Sequence, residues 1–195
     1  MTPFAGVNRV TSPYGNRTYI NSGKTVREFH RGHDLVPTKY AGESVAESAW
    51  TVREVTGGTV IKIAYDKYRG NYVDVRTSST TFERYQHMKS IAVKKGQAVK
   101  QGDTVGVAGN TGNSTARHLH FGVFVNGSAE ANAVQPDAWD GLSNKAGTYV
   151  GNDTLDGGSS VGAVLKSYKL GPVSAGDAAK IKALAAQMAV ACVEV

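Results

Sequence analysis

The sequence predicts a mainly β protein: a compact antiparallel β-sheet or open barrel over most of the chain, followed by a small C-terminal β-α-β unit. Three observations carry that expectation. Glycine is abundant, with 23 in 195 residues, which suits many tight turns between short strands. Apolar and polar residues alternate over 59–64, 72–77, 81–87, 104–108 and 118–125, the period of half-buried antiparallel strands. Over Gly141 to Ser160 the composition shifts to Gly, Asn, Ser, Asp and Thr, as a solvated linker requires.

Taken in order, residues 1–140 hold all the alternating runs and form the main domain. Between Ser90 and Ala108, Gly96 and Gly102 punctuate short apolar pieces, which predicts tight turns inside a compact β-structure. Residues 141–160 read as a flexible linker. In 161–195, Val161 to Leu170 and Ala189 to Val195 read as strands around a helix from Ser174 to Met188. Ser174 caps that helix, Asp177 sits in its first turn, and Ile181, Leu184, Ala185 and Met188 make one apolar stripe. A unit of about 35 residues is below the ~40 at which isolated domains usually fail. It is therefore expected to need a partner surface: the main domain, a second copy through self-association, or the rest of a longer module.

There are 22 Lys and Arg against 16 Asp and Glu, a net charge of +6, so a polyanion is the natural partner. Nucleic acid and the anionic polymers of a bacterial cell wall both qualify on charge. The basic residues are scattered with no compact run interleaved with aromatics, so no nucleic-acid partner is expected. The single cysteine, Cys192, excludes an internal disulfide framework and a multi-cysteine zinc site. No apolar stretch approaches the ~20 residues of a membrane span. Met1-Thr2-Pro3-Phe4 lacks a charged and then apolar leader, so no signal peptide is expected if Met1 is the natural start.

Metal-ligand residue types concentrate in one respect. The five histidines stand at 30, 33, 87, 118 and 120. On an extended strand His118 and His120 share one face, while Leu119, Phe121, Val123 and Val125 share the other. If 30–34 is extended, His30, Gly32 and Asp34 share a face, and the missing side chain at Gly32 leaves room for an ion. Two imidazoles and one carboxylate make a three-ligand catalytic zinc site, whereas a fourth protein ligand would make a closed structural one. His33 reads as a supporting residue rather than a ligand.

Several motifs in order resemble one family. They are Val10-Thr11-Ser12-Pro13-Tyr14-Gly15-Asn16-Arg17, His30-Arg31-Gly32-His33-Asp34, Tyr85-Gln86-His87-Met88, the segment Gly96 to Gly102, and Gly109-Asn110-Thr111-Gly112 leading to His118-Leu119-His120-Phe121. Together they resemble the lysostaphin-type, LytM-like zinc metallopeptidases that cut peptide bonds in peptidoglycan. The resemblance implies a duplicated hybrid motif fold, one zinc ion per catalytic domain, His30, Asp34 and His120 as ligands, and His87 and His118 as catalytic histidines. Of these two, His118 is favoured as the base and His87 as the group that meets the developing oxyanion.

Around that set, Tyr85 is expected to share the face of His87, and Asn110 and Asn113 to line a groove that binds peptide backbone. Two departures from the family pattern stand out. Ala116-Arg117 precedes His-Leu-His, offering a positive contact to substrate, and the stretch Lys39 to Gly57 is long. The intact motif set without a leader resembles a phage endolysin or virion-associated lysin, held in the host cytoplasm or in the particle. Tyr168 to Ser174 is similar to the repeats of SPOR-like wall-binding modules. Against the zinc endopeptidase stand a catalytically silent wall- or partner-binding relative and a lipoyl-like carrier. The first is disfavoured because every expected ligand is present, the second because no lysine occupies a suitable hairpin tip.

Overall fold

The computed structural model describes residues 1–21, 23–38 and 44–150. Along them run β1 (Val7–Ser12), β2 (Gly15–Asn21), β3 (Lys24–His30), β4 (His33–Thr38), β5 (Thr51–Arg53), β6 (Gly57–Asp66) and β7 (Gly70–Arg76). Then follow β8 (Thr81–Ile91), β9 (Ala98–Lys100), β10 (Thr104–Ala108), β11 (Leu119–Val125), β12 (Ala133–Val134), a one-turn helix α1 (Asp137–Asp140) and β13 (Tyr149–Val150). The main sheet runs β13-β1-β4-β11-β8-β7-β6-β9, with β10 joining β5 to β8 and β12 set against β11. Its path does not close, so the open antiparallel sheet is the architecture observed. β2 and β3 form a separate hairpin.

The alternating runs fall on β6, β7, β8, β10 and β11. Val10, Leu35, Val60, Val73, Val75, Tyr85 and Met88 pack into one buried cluster, joined from β11 by Leu119, Phe121 and Val123. Two-residue periodicity then turns His120 to the opposite face of β11.

The packed unit runs past the Asp140 boundary to Val150, which corrects the linker expected from Gly141. Leu142 is fully buried in the core. Asn144 accepts from the Tyr14 amide at 2.7 Å and donates to the Tyr14 carbonyl at 3.0 Å. β13 extends the sheet beside β1. One leucine and a two-residue strand leave no periodicity to detect among Gly, Asn and Ser, which is why the stretch resembles a linker. His33 does support this region: it is fully buried, donates through Nδ1 to Asp140 Oδ2 at 2.7 Å, and lies 3.0 Å from Asn144 Oδ1 through Nε2. The rest of the expected linker, 151–160, and the β-α-β unit at 161–195 lie outside the described residues.

The core also contains a pair of carboxyl groups. Glu54 and Glu83 are both fully buried. The Tyr85 hydroxyl donates to Glu83 Oε2 at 2.8 Å, the Thr56 hydroxyl donates to Glu83 Oε1, and the Gly57 amide donates to Glu54 Oε1 at 3.1 Å. Glu54 Oε2 meets no donor among the described residues. An orphaned acceptor beside a second carboxylate is completed when it carries a proton and donates. Burial, and then the charge of Glu83, push the Glu54 carboxyl up to about 8.

A carboxyl that is protonated in the fold but ionises near its ordinary value, about 4.3, when unfolded stabilises fully only below that value. The contribution is then lost as pH rises toward the folded value. The melting temperature is expected to fall by several degrees as pH is raised from about 5 to about 8. Glu54→Gln, neutral throughout, flattens that slope in differential scanning calorimetry; equal slopes in the two proteins would refute the protonated Glu54.

Candidate metal centre

β4 and β11 are neighbours, and their register sets Asp34 directly opposite His120, with Gln86 of β8 on the other side of His120. His30 comes from the hairpin: it ends β3, and the chain crosses to β4 through Arg31-Gly32. The run from His30 to Asp34 is therefore not one extended strand, and Gly32 does not serve as space for an ion. A Cβ at Gly32 would sit 2.4 Å from the Phe121 carbonyl oxygen and 2.6 Å from His120 Nε2. Only glycine lets the crossing pass this close to β11.

The three side chains form a triangle of donor atoms. His30 Nε2 lies 3.0 Å from both Asp34 Oδ1 and His120 Nδ1, and His120 Nδ1 lies 2.9 Å from Asp34 Oδ1. All three residues are buried, and together they could hold a metal ion. Tetrahedral zinc with bonds of about 2.0–2.1 Å sets its donors about 3.3 Å apart. The triangle has to open only slightly, so the residues fit the ion.

Neighbouring groups aim the donors. His30 Nδ1 donates to the Pro13 carbonyl at 2.8 Å, which leaves Nε2 as the lone pair. Arg17 Nη1 donates to Asp34 Oδ2 at 3.0 Å and to Ser12 Oγ at 2.9 Å, while its Nε donates to Glu28 at 2.8 Å. Asp34 thus gives one oxygen to the triangle and the other to Arg17. Spacing alone did not single out Arg17, because its partner lies on another sheet; only the Val10 to Arg17 motif pointed toward it.

The electrostatics favour a ligand-ready state. Burial opposes the Asp34 anion, but its contacts with His118, His120 and His30 outweigh it and hold the carboxyl well below its ordinary value. Burial, reinforced by the charge of His30, lowers His120 to about 4. An ionised carboxylate and a neutral imidazole are the forms that bind a metal ion.

His87 and His118 stand beside the triangle, with ring centroids 4.7 Å apart; His87 is 6.2 Å from His120. His87 has φ of 62°, an uncommon conformation for a residue with a side chain. The pairing of β8 with its neighbours shifts register around this point. The kink turns the imidazole into the site, where Nδ1 donates to the Thr111 carbonyl at 2.8 Å. His118 Nδ1 donates to the Ala116 carbonyl at 2.8 Å, and its Nε2 lies 3.4 Å from Asp34 Oδ1. Burial and then the His118 charge depress His87, whereas at His118 the Asp34 carboxylate outweighs burial and raises it.

Tyr85 does not share the face of His87, which corrects the expectation from strand alternation. The kink at His87 breaks the period, and Tyr85 is fully buried against Phe121, its hydroxyl bonded to Glu83 and to the Val55 amide. Asn113 lines the cleft that opens on the histidines. Asn110 and Arg117 instead line a separate depression. Arg117 does not offer its charge to a substrate: it pairs with Glu47 and stacks 4.4 Å from the Trp50 ring. Glu47 and Trp50 belong to the long stretch from Lys39 to Gly57, so the two departures from the family pattern bind each other. Tyr68, Arg69 and Gln86 line the cleft without any signal in their spacing.

A buried His–Asp–His donor set facing a cleft with two further imidazoles belongs with the hydrolases that use a single metal ion. Residues 28–135 match Peptidase family M23, and the chain belongs to that family. It is 40% identical over 98 residues to the peptidoglycan DD-endopeptidase ShyC of Vibrio cholerae, an overlap of 50% of this chain and 21% of ShyC. The chain thus spans about a fifth of the length of that curated relative. Its fold is similar to a zinc-containing peptidase from Vibrio cholerae, with TM-score 0.54, 32% identity, and coverage of 69% of this chain and 37% of that one. It is also similar to a mutant catalytic domain of the prophage-encoded M23 protein EnpA from Enterococcus faecalis, with TM-score 0.52, 26% identity, and coverage of 70% and 92%. The LytM-like open sheet expected from the motifs is therefore the fold observed.

The role of Arg17 has a direct test. Arg17→Gln is expected to weaken zinc affinity by about 10- to 100-fold, the usual cost of losing a group that orients a ligand. Arg117→Gln leaves that affinity unchanged. Competition against a chromophoric chelator measures both, and parental affinity in the Arg17 variant refutes the orienting role.

Proposed function

We propose that the protein is a zinc-dependent peptidoglycan endopeptidase that cleaves peptide bonds of the bacterial cell wall. The observation that carries this reading is the cross-strand pair Asp34 and His120, joined by His30 and flanked by two imidazoles that present Nε2 to a cleft. Membership of family M23, a DD-endopeptidase among the relatives and a zinc-containing structural neighbour support it. A catalytically silent relative is not favoured, since no expected ligand is missing.

In this reading His30, Asp34 and His120 would hold one zinc ion, which would supply Lewis-acid chemistry to the scissile carbonyl and to a water. Both neighbouring histidines spend Nδ1–H on a backbone carbonyl, so each offers a lone pair at Nε2 when neutral and a hydrogen there only when protonated. The base and the oxyanion partner must then differ in charge. We assign His118 as the base that takes the proton of the attacking water, because the Asp34 carboxylate raises its affinity for a proton. His87 steadies the developing negative charge on the carbonyl oxygen only with a hydrogen at Nε2, a form that burial and the His118 charge disfavour until that negative charge is present. Arg17 keeps Asp34 oriented throughout.

The wider setting follows the same proposal. The enzyme acts in phage-mediated lysis, a reading supported by its likeness to prophage-encoded EnpA. It waits in the host cytoplasm or in the particle until release. The net charge of +6 draws it to anionic wall polymers, and 161–195 serve as a wall-binding or self-associating element. Among the described residues, no helix is long and apolar enough to cross a membrane.

Digestion of purified peptidoglycan by zinc-replete and chelator-treated protein, with mass analysis of the fragments, tests the reading and identifies the bond cut. His120→Ala is expected to lose both zinc and lysis. His118→Ala keeps zinc and loses turnover by about 10²- to 10⁴-fold. Full lysis by a His120→Ala protein of unchanged zinc content would sink the assignment.

A further inference from the structure

Three arginines line the cleft, and they differ in what holds them. Arg17 is tied to Glu28 and Asp34, and Arg69 to Asp66 and Glu130. Arg31 meets no carboxylate among the described residues. Its Nη1 donates to the Phe29 carbonyl at 3.3 Å, and its guanidinium lies 5.8 Å from the Phe29 ring. A long bond to a carbonyl and a ring contact leave its positive charge uncompensated among the described residues.

Its position makes that charge useful. Arg31 directly follows His30 and stands on the crossing to β4, whose path is pinned by the close approach of Gly32 to β11. The backbone is thus fixed at the donor triangle while the side chain is exposed in the cleft. A guanidinium is weakly hydrated and presents a planar fork of donors that matches a carboxylate. A group with that geometry beside the reacting bond reads an anionic substituent of the substrate.

We propose that Arg31 is a specificity residue that binds a free carboxylate on an amino acid flanking the scissile bond. The site then prefers cross-links built on an amino acid bearing such a carboxylate, and disfavours an uncharged oligoglycine bridge. This rests on the endopeptidase reading and names the substrate class of that same cleft. The paired guanidiniums of Arg17 and Arg69 cannot take the role without breaking their existing ion pairs.

The test uses the zinc-replete full chain and two cross-linked stem-peptide dimers, identical except for a carboxylate or a carboxamide beside the scissile amide. The wild type is expected to favour the carboxylate by about 10-fold or more in kcat/KM, the scale of one charge-assisted hydrogen bond. Arg31→Gln brings the ratio toward one, and Arg31→Lys, which keeps the charge without the fork, gives an intermediate ratio. Zinc content and melting temperature equal to the parent show that the variants are folded. A wild-type ratio near one, or an undiminished ratio in Arg31→Gln, overturns the proposal.

Calorimetric binding of both dimers to the chelator-treated full chain separates the two levels of inference. If neither dimer is cut by the loaded protein yet the carboxylate form binds more tightly in an Arg31-dependent way, the endopeptidase reading fails and the role of Arg31 stands. Equal affinities overturn the role of Arg31 whether or not cleavage occurs.

Discussion

Asp34 is the point on which the site turns. Its Oδ1 faces three imidazoles, from His30, His118 and His120, and its Oδ2 is held by Arg17. Burying a carboxylate is costly unless each lone pair finds a donor or a cation. Here the compensation comes from four residues on the hairpin, on β11 and just before it. The hairpin and the main sheet share no ladder, so this polar hub, rather than strand pairing, brings His30 and Arg17 to β4. A metal ion in the triangle would replace imidazole hydrogens as the counter-charge and strengthen the same junction.

That dependence explains why backbone irregularities gather where they do. Gly32 permits the crossing that brings the hairpin against β11, and His87 adopts a positive φ that points its imidazole toward His118. A regular strand at β8 would have put His87 and Tyr85 on one face and left the cleft without one of its two spare imidazoles. The local strain at His87, of order 1–3 kcal/mol, is offset by ladder bonds on either side: its amide donates to the Arg69 carbonyl and its own carbonyl accepts from Gly109. The same kink keeps Tyr85 in the core, where its hydroxyl serves the Glu54 and Glu83 pair.

What could be read in advance follows from this division. Strand alternation is a property of local sequence, so β6, β7, β8, β10 and β11 were legible, as was the opposition of His120 to Leu119 and Phe121. The grouping of His30, Asp34 and His120 was legible through motif order. The kink at His87 was not, because nothing in Tyr85-Gln86-His87-Met88 distinguishes a bulged strand from a regular one. Arg117 looked available because its partner, Glu47, lies 70 residues away in sequence. Residues 141–150 resemble a linker because their few apolar residues are scattered, and Leu142 packs among core residues from distant strands.

The charge pattern of the cleft follows from the same hub. Holding Asp34 requires Arg17, and Arg17 in turn recruits Glu28; across the cleft Glu130 draws in Arg69 and Arg84. These pairs neutralise one another and fix the walls, so they lend little net field to an incoming peptide. A guanidinium outside such a network is different. Exposed in the cleft next to His30, Arg31 has no structural task among the described contacts that would account for a cation there. The walls are therefore built from compensated charge, and selectivity is left to the charge that is not.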